Sequence, residues 1–178
     1  MDIFQIESCL KSMQIVVDTR EQPSKRAEER YNAFSAPYKR QALGYGDYTY
    51  NFRLPSGEWL FNSEETIKGH AVIERKQDLM ELSQCFCQSR SRFEREFERA
   101  KECSAAIYLL VEDATWENLI NGKYATKFNP KAFFASITAW MVRYDIKIIF
   151  CKSETSGKLI NEILYRELKE RLENGKYG

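Results

Sequence analysis

Histidine is nearly missing from this chain: His70 is the only one in 178 residues. A zinc site built on several imidazoles is therefore excluded, and any Ser-His-Asp or Cys-His hydrolase would depend on that one side chain. Paired cysteines are missing too. Cys9, Cys85, Cys87, Cys103 and Cys151 are odd in number and contain no CxxC pair, which removes the common zinc and redox frameworks and predicts reduced thiols in a cytosolic protein. No stretch approaches the ~20 apolar residues that span a bilayer, and the amino-terminal segment has an early acid and no long apolar core, so no membrane association is expected. An excess of either charge is also absent. The 27 Lys and Arg against 26 Asp and Glu leave +1, so no global field attracts a polyanion and histone-like coating of DNA is excluded. What is present is a chain of one-domain size, 43% hydrophobic and 13% aromatic, without low-complexity tracts. Its chemistry must lean on carboxylates, lysine and arginine.

Hydrophobic periodicity orders the chain. Residues 14–18 (QIVVD) read as a strand ending in an acid, followed by a polar loop or short helix. Residues 39–52 alternate aromatic and polar side chains after two glycines, RLPSG reads as a hairpin turn with EWLFN as its partner strand, and HAVIERK is one more strand. Residues 45–76 are thus expected to form an antiparallel meander. The period then becomes helical over 79–102, in one long helix or two shorter ones, with Asp78 and Glu81 spaced as a capping box. A buried strand is predicted over 105–112, a short helix at 116–120, a helix from Pro130 with an apolar stripe from Phe133 to Tyr144, a strand at IKIIFC, a last helix over about 156–173, and a fraying NGKYG tail. Strands in a meander followed by strands separated by helices imply an α/β fold, a mixed sheet with helices on its faces. The expected organisation is a single domain over 1–178, with its core over about 14–152.

Within AVIERK, residues two apart share a strand face, so Glu74 and Lys76 project together while Ile73 and Arg75 face the other way. A carboxylate beside an ammonium suits phosphodiester hydrolysis: the acid helps hold Mg²⁺, and the lysine orients water or offsets charge on the reacting phosphorus. A hard divalent ion takes several oxygen ligands, and Asp47 of GDY is the best second candidate. The plainer reading of an isolated E-x-K is the solvated face of an edge strand.

The ordered set VDTRE at 17–21, GDY at 46–48, VIERK at 72–76 and SRSRFEREFERA at 89–100 resembles the nuclease domain of the XPF family, a branch of the restriction-endonuclease-like PD-(D/E)XK superfamily. The resemblance runs from about Ile15 to about Cys151 and implies a restriction-endonuclease-like mixed β-sheet flanked by helices on both faces. It also implies a Mg²⁺-dependent endonuclease that incises branched or flapped DNA in repair or recombination, with Mn²⁺ substituting. Carried over, Asp47 and Glu74 are metal ligands, Lys76 the catalytic lysine, Arg75 the middle of the motif, and Asp18 the upstream acid near the metal; Arg20 of the same DTRE run is a DNA-contact candidate. The family acid four residues after the lysine falls on Met80 here, flanked by Asp78 and Glu81; Glu81 is the better substitute if the helix begins one residue differently, and Asp78 is a candidate helix cap. Tandem helix-hairpin-helix modules do not follow within these 178 residues, which leads us to expect a stand-alone type in the cytoplasm of a bacterial cell or phage-infected host.

Arg90 and Arg92 precede the dense Glu run at an expected helix break and are candidates for phosphate contact, whereas Arg95 and Arg99 read as a salt-bridged solvated face. Lys39 and Arg40 form a weaker basic pair, and Tyr45, Tyr48 and Tyr50 read as packing residues. The Phe133–Tyr144 stripe and the leucine-rich last helix read most simply as core-facing; in the resembled family the late helices form dimers, which makes part of that apolar surface an alternative candidate interface with a second copy or a partner protein. The alternative to an enzyme is a DNA-binding or scaffolding module that keeps the fold and has lost activity with its altered acid.

Overall fold

The computed structural model describes residues 1–176. Six strands, β1 (Gln14–Val17), β2 (Tyr38–Arg40), β3 (Tyr48–Asn51), β4 (Ala71–Lys76), β5 (Ala106–Glu112) and β6 (Ile146–Cys151), form one mixed sheet in the order β2-β1-β3-β4-β5-β6. β3 runs antiparallel to β1 and β4, while β4, β5 and β6 are parallel, as the change from meander to helix-separated strands predicts.

Helices cover both faces. α3 (Leu79–Cys87), α4 (Arg90–Glu102), α5 (Trp116–Ile120) and α6 (Pro130–Tyr144) bury Leu82, Phe93, Phe97, Phe133 and Trp140 against Val72, Ile107 and Leu109 of the sheet. On the other face, α1 (Ile3–Lys11), α2 (Lys25–Asn32) and α7 (Ser153–Glu173) pack with Ile15, Tyr48, Tyr50, Ile73 and Leu110, through Ile160, Leu164 and Leu168 of α7. All three tyrosines of the GYGDYTY run are buried in these cores. No helix among the described residues is long and apolar enough to cross a membrane.

Several local expectations change. EWLFN is not a strand; the bridge Arg53–Trp59 is isolated. The Asn51 carboxamide explains it, donating to the Phe61 carbonyl at 2.8 Å and accepting from the Phe61 N–H at 3.1 Å, so a side chain takes the place of ladder bonds. Residues 79–102 form two helices broken at Gln88–Ser89, and Arg90 is the first residue of the second. The amino terminus forms α1 behind an Asp2–Gln5 capping box, and Tyr38–Arg40 add a short edge strand parallel to β1. α7 begins at Ser153, ahead of the expected 156. Phe134 leaves the apolar stripe and is 37% exposed. The tail does not fray up to Lys176: Gly175, at φ 69°, allows Gly175 N–H to reach the Leu172 carbonyl and Lys176 N–H the Arg171 carbonyl, a Schellman cap. Tyr177 and Gly178, the end of that expected fraying, lie outside the described residues.

Candidate active site

The site grows from a split between β3 and β4. The two strands are registered at one pair, Tyr48 opposite Ile73, and just before it the chain passes through Gly46 at φ 72°. A Cβ on Gly46 would lie 3.0 Å from the Val72 Cβ, so both the left-handed backbone and the close approach favour glycine. The turn presents Asp47 to β4. Its N–H donates to the Ile73 carbonyl at 2.9 Å, and its carboxylate accepts the Arg75 N–H at 2.8 Å, where a neighbouring strand would have offered a carbonyl. The opening between the strands is therefore lined by a carboxylate instead of being closed by the ladder.

Glu74 and Lys76 project from β4 into the same opening. Both are almost fully buried, β4 is interior to the sheet, and Lys76 Nζ lies 2.6 Å from Glu74 Oε1, so the solvated-edge reading of E-x-K is excluded. Asp47, Glu74 and Lys76 line one cavity of about 490 Å³, together with Arg20, Glu81, Arg92 and Glu96. Its lining holds four carboxylates (Asp47, Glu74, Glu81, Glu96) against three cations (Arg20, Lys76, Arg92). Burial, followed by repulsion from Glu74, pushes the Asp47 carboxyl up to about 8, against the opposing pull of Lys76. Burial alone would lower the Lys76 pKa, but Glu74 and Asp47 raise it well above the usual lysine value. Lys76 is thus a fixed cation.

The donor set suits a hard divalent ion. Two carboxylates share a recess that is deficient in positive charge, and Mg²⁺ commonly takes one or two protein carboxylates and completes its shell with water and phosphate oxygens. Among the described residues, no three His, Cys, Asp or Glu side chains are grouped to hold a metal ion by themselves, so water and phosphate oxygens would have to complete the shell of an ion held here.

Other candidates divide. Glu81 lines the cavity, with Oε1 3.9 Å from Lys76 Nζ, whereas Asp78 is turned to the N-terminus of α3, accepting the Glu81 N–H at 2.8 Å. Of the basic pair, Arg92 lines the cavity, and Arg90 lies over the Trp140 ring at 5.8 Å instead. Arg20 reaches the cavity wall while its Nε donates to Asp18 at 2.7 Å; Asp18, nearly fully buried, does not line the cavity but holds Arg20 there. Arg75 faces away. It joins Glu21, Arg30 and Glu112 in a ring of ion pairs: Arg30–Glu21 at 3.2 Å, Arg30–Glu112 at 3.1 Å, Arg75–Glu21 at 3.3 Å and Arg75–Glu112 at 3.4 Å. Arg40 belongs to the same loop support, donating to the Thr19 and Glu21 carbonyls.

Glu96 is a wall residue that reading α4 as a solvated salt-bridged face conceals. Its Oε1 pairs with Arg99 at 2.8 Å and Arg20 at 3.5 Å, while Oε2 is buried without a hydrogen-bond partner among the described residues. Helical spacing from Phe93 and Phe97, which are core residues, is the signal that could have turned Glu96 inward.

Residues 17–163 match the ERCC4 domain. Among solved structures, XPF from Aeropyrum pernix superimposes with a TM-score of 0.61 at 14% identity, over 92% of this chain and 69% of that one. The structure of XPF from Aeropyrum pernix in complex with DNA gives 0.60 at 16% identity, over 89% and 66%. No curated protein matches the chain in sequence. The mixed sheet with helices on both faces is thus the XPF fold, and the matched span carries the DTRE, GDY and ERK segments that build the cavity and its support. With 147 of its residues inside that match, the chain belongs to the ERCC4 domain family.

Proposed function

We propose that this protein is a Mg²⁺-dependent DNA endonuclease that hydrolyses phosphodiester bonds in branched or flapped DNA during repair or recombination. The convergence of Asp47, Glu74 and Lys76 in one recess carries the reading. Asp47 and Glu74 would hold the ion, and Mn²⁺ would fit the same oxygen donors. Mg²⁺ held there would supply Lewis-acid polarisation of the phosphate and a more acidic water. Lys76, fixed as a cation 2.6 Å from Glu74, would offset the charge that develops on the phosphoryl oxygens and orient the attacking water. Arg20 and Arg92 at the wall would bind the flanking phosphates. Glu81 extends the acidic lining where the family acid is replaced by Met80.

DNA binding as a property of XPF from Aeropyrum pernix, and membership of the ERCC4 family, support DNA as the polymer. Solvent-facing apolar Val142 and Phe134 on α6 support a surface for a second copy or partner protein. The test is cleavage of labelled flap, fork, junction and plain duplex DNA with Mg²⁺, Mn²⁺ or EDTA. Metal-dependent incision lost in Asp47→Ala and Glu74→Ala is the expected result. Junction binding without cleavage in a clean preparation would replace the enzyme with a binding or scaffolding module.

A further inference from the structure

A second recess, of about 450 Å³, lies across α3 from the acidic cavity, and Gln84 and Gln88 line both. One wall is a single face of α3, with Met80, Ser83, Gln84 and Cys87 at helical spacing; the other is the loop 125–129 that leads into α6. That loop is held in shape. Tyr124 Oη donates to the Phe128 carbonyl at 2.9 Å, the Phe128 ring packs on Phe133 with centroids 4.9 Å apart, and Asn129 caps α6 by accepting the Ala132 N–H at 3.1 Å.

The chemistry of the lining is mixed. Met80, 40% exposed, and Phe128 offer a soft apolar surface. The exposed carboxamides of Gln84 and Gln88 form no hydrogen bond among the described residues, and each can both donate and accept. Lys127 at the rim has no carboxylate partner among the described residues. A lone phosphate would not use the apolar surface, and a purely apolar ligand would not use two amides and a cation. A nucleotide uses all three: its base on Met80 and Phe128, its base edge against the amides, its phosphate near Lys127.

We propose that this recess receives the unstacked base of a nucleotide next to the scissile phosphate, an inference that rests on the hydrolytic reading of the adjoining cavity. A base inside a continuous duplex reaches such a recess only after unstacking, at a cost of a few kcal/mol, whereas an unpaired base at a flap or fork pays far less. The recess would therefore select strands with unpaired nucleotides beside the cut. Met80, which stands where the family has its acid, would serve here as a surface for the base.

The test uses flap oligonucleotides that carry 2-aminopurine at one position each across the junction, mixed with the protein in Ca²⁺ buffer, in parallel with cleavage of abasic-site flaps in Mg²⁺. Emission should rise at one position as that base leaves the stack, and Met80→Asp or Lys127→Ala, both solvent-facing side chains, should suppress the rise. An abasic site at that position should slow wild-type cleavage about tenfold and Met80→Asp cleavage hardly at all, as expected for one lost base contact. Efficient cutting with flat emission at every position overturns the base recess and leaves the hydrolytic reading intact. A position-specific rise that depends on Met80, without cutting of any substrate, retains the recess and overturns hydrolysis.

Discussion

Strand β4 carries charge on both faces, and the two clusters are built in opposite ways. On one face Arg75 joins Glu21, Arg30 and Glu112 in an alternating ring of two cations and two anions, with Tyr48 Oη donating to Glu21 at 3.0 Å. Glu112 and Arg30 are almost completely buried, and every charge in the ring has at least two partners of opposite sign, Glu112 adding Arg26 at 3.7 Å. Burial alone would lower the Arg75 pKa, and Glu21 and Glu112 more than reverse it. On the other face Asp47, Glu74 and Lys76 open into a cavity whose lining has one more carboxylate than cation. A buried ring that satisfies itself needs nothing from outside and serves as a rigid floor. An unbalanced set that faces solvent needs a further positive charge, which is what a metal ion and its bound phosphate supply. The same three letters, ERK, feed both: alternation sends Glu74 and Lys76 to the reactive face and Arg75 to the supporting one.

The contrast breaks most sharply in activity. Glu74→Gln, which keeps an oxygen acceptor beside the buried Lys76, should reduce Mg²⁺-dependent incision by about 10²–10³-fold or more while costing less stability than a break in the ring, as read by nicking rates and urea unfolding. Glu112→Ala should show the reverse emphasis, costing about 3–5 kcal/mol in urea unfolding, because it leaves the buried Arg30 and the half-buried Arg75 to share Glu21 alone. A Glu74 variant that unfolds easily, or a Glu112 variant of native stability, would dissolve the distinction. Gly46→Ala should cost about 1–2 kcal/mol for the left-handed backbone and lower the rate by displacing Asp47.

pH separates the faces more finely. The folded protein retains the Asp47 proton up to about 8, whereas the unfolded chain releases it near the ordinary carboxylate value of 3.8. Between those values the native state binds more protons, so this group makes metal-free stability fall as pH rises from about 4 to about 8. Asp47→Asn should flatten that slope in thermal melts, and Mg²⁺, which favours the ionised carboxylate, should oppose it. The smallest effect expected is on DNA binding: Arg92→Ala should reduce the salt slope of binding by about 1 and Arg90→Ala should not, since Arg90 lies over Trp140 away from the cavity.

Legibility followed the length scale of each signal. The strand alternation of AVIERK separates Glu74 and Lys76 from Arg75, and the helical period beyond Leu79 marks the helices over the sheet. The capping box of Asp2 and Gln5 was equally local and would have marked α1. β2 was harder to read because its three residues, Tyr38–Arg40, are a polar edge whose pairing partner β1 lies some twenty residues earlier. EWLFN has a strand pattern, yet the Asn51 side chain takes the Phe61 backbone bonds a ladder would use. Between Asp78 and Glu81 the capping-box spacing already offers Asp78 as the helix cap and Glu81 as the substitute acid. The start of α3 decides between them, since its first turn takes the Asp78 carboxylate as a cap and leaves Glu81 facing the cavity.

Sequence by itself determined the alternation of fold elements, the pairing of Glu74 with Lys76 on one strand face, and the glycine before Asp47, because these depend on neighbours within a few residues. Only the tertiary structure decided that β3 and β4 part where Asp47 stands, that Glu96 and Arg92 of α4 close the same cavity, and that Glu21, Arg30 and Glu112 lock Arg75 beneath it. Those contacts join residues up to 82 positions apart, Arg30 to Glu112, and their energies arise from burial and charge balance, which exist only once the sheet and its helices have packed.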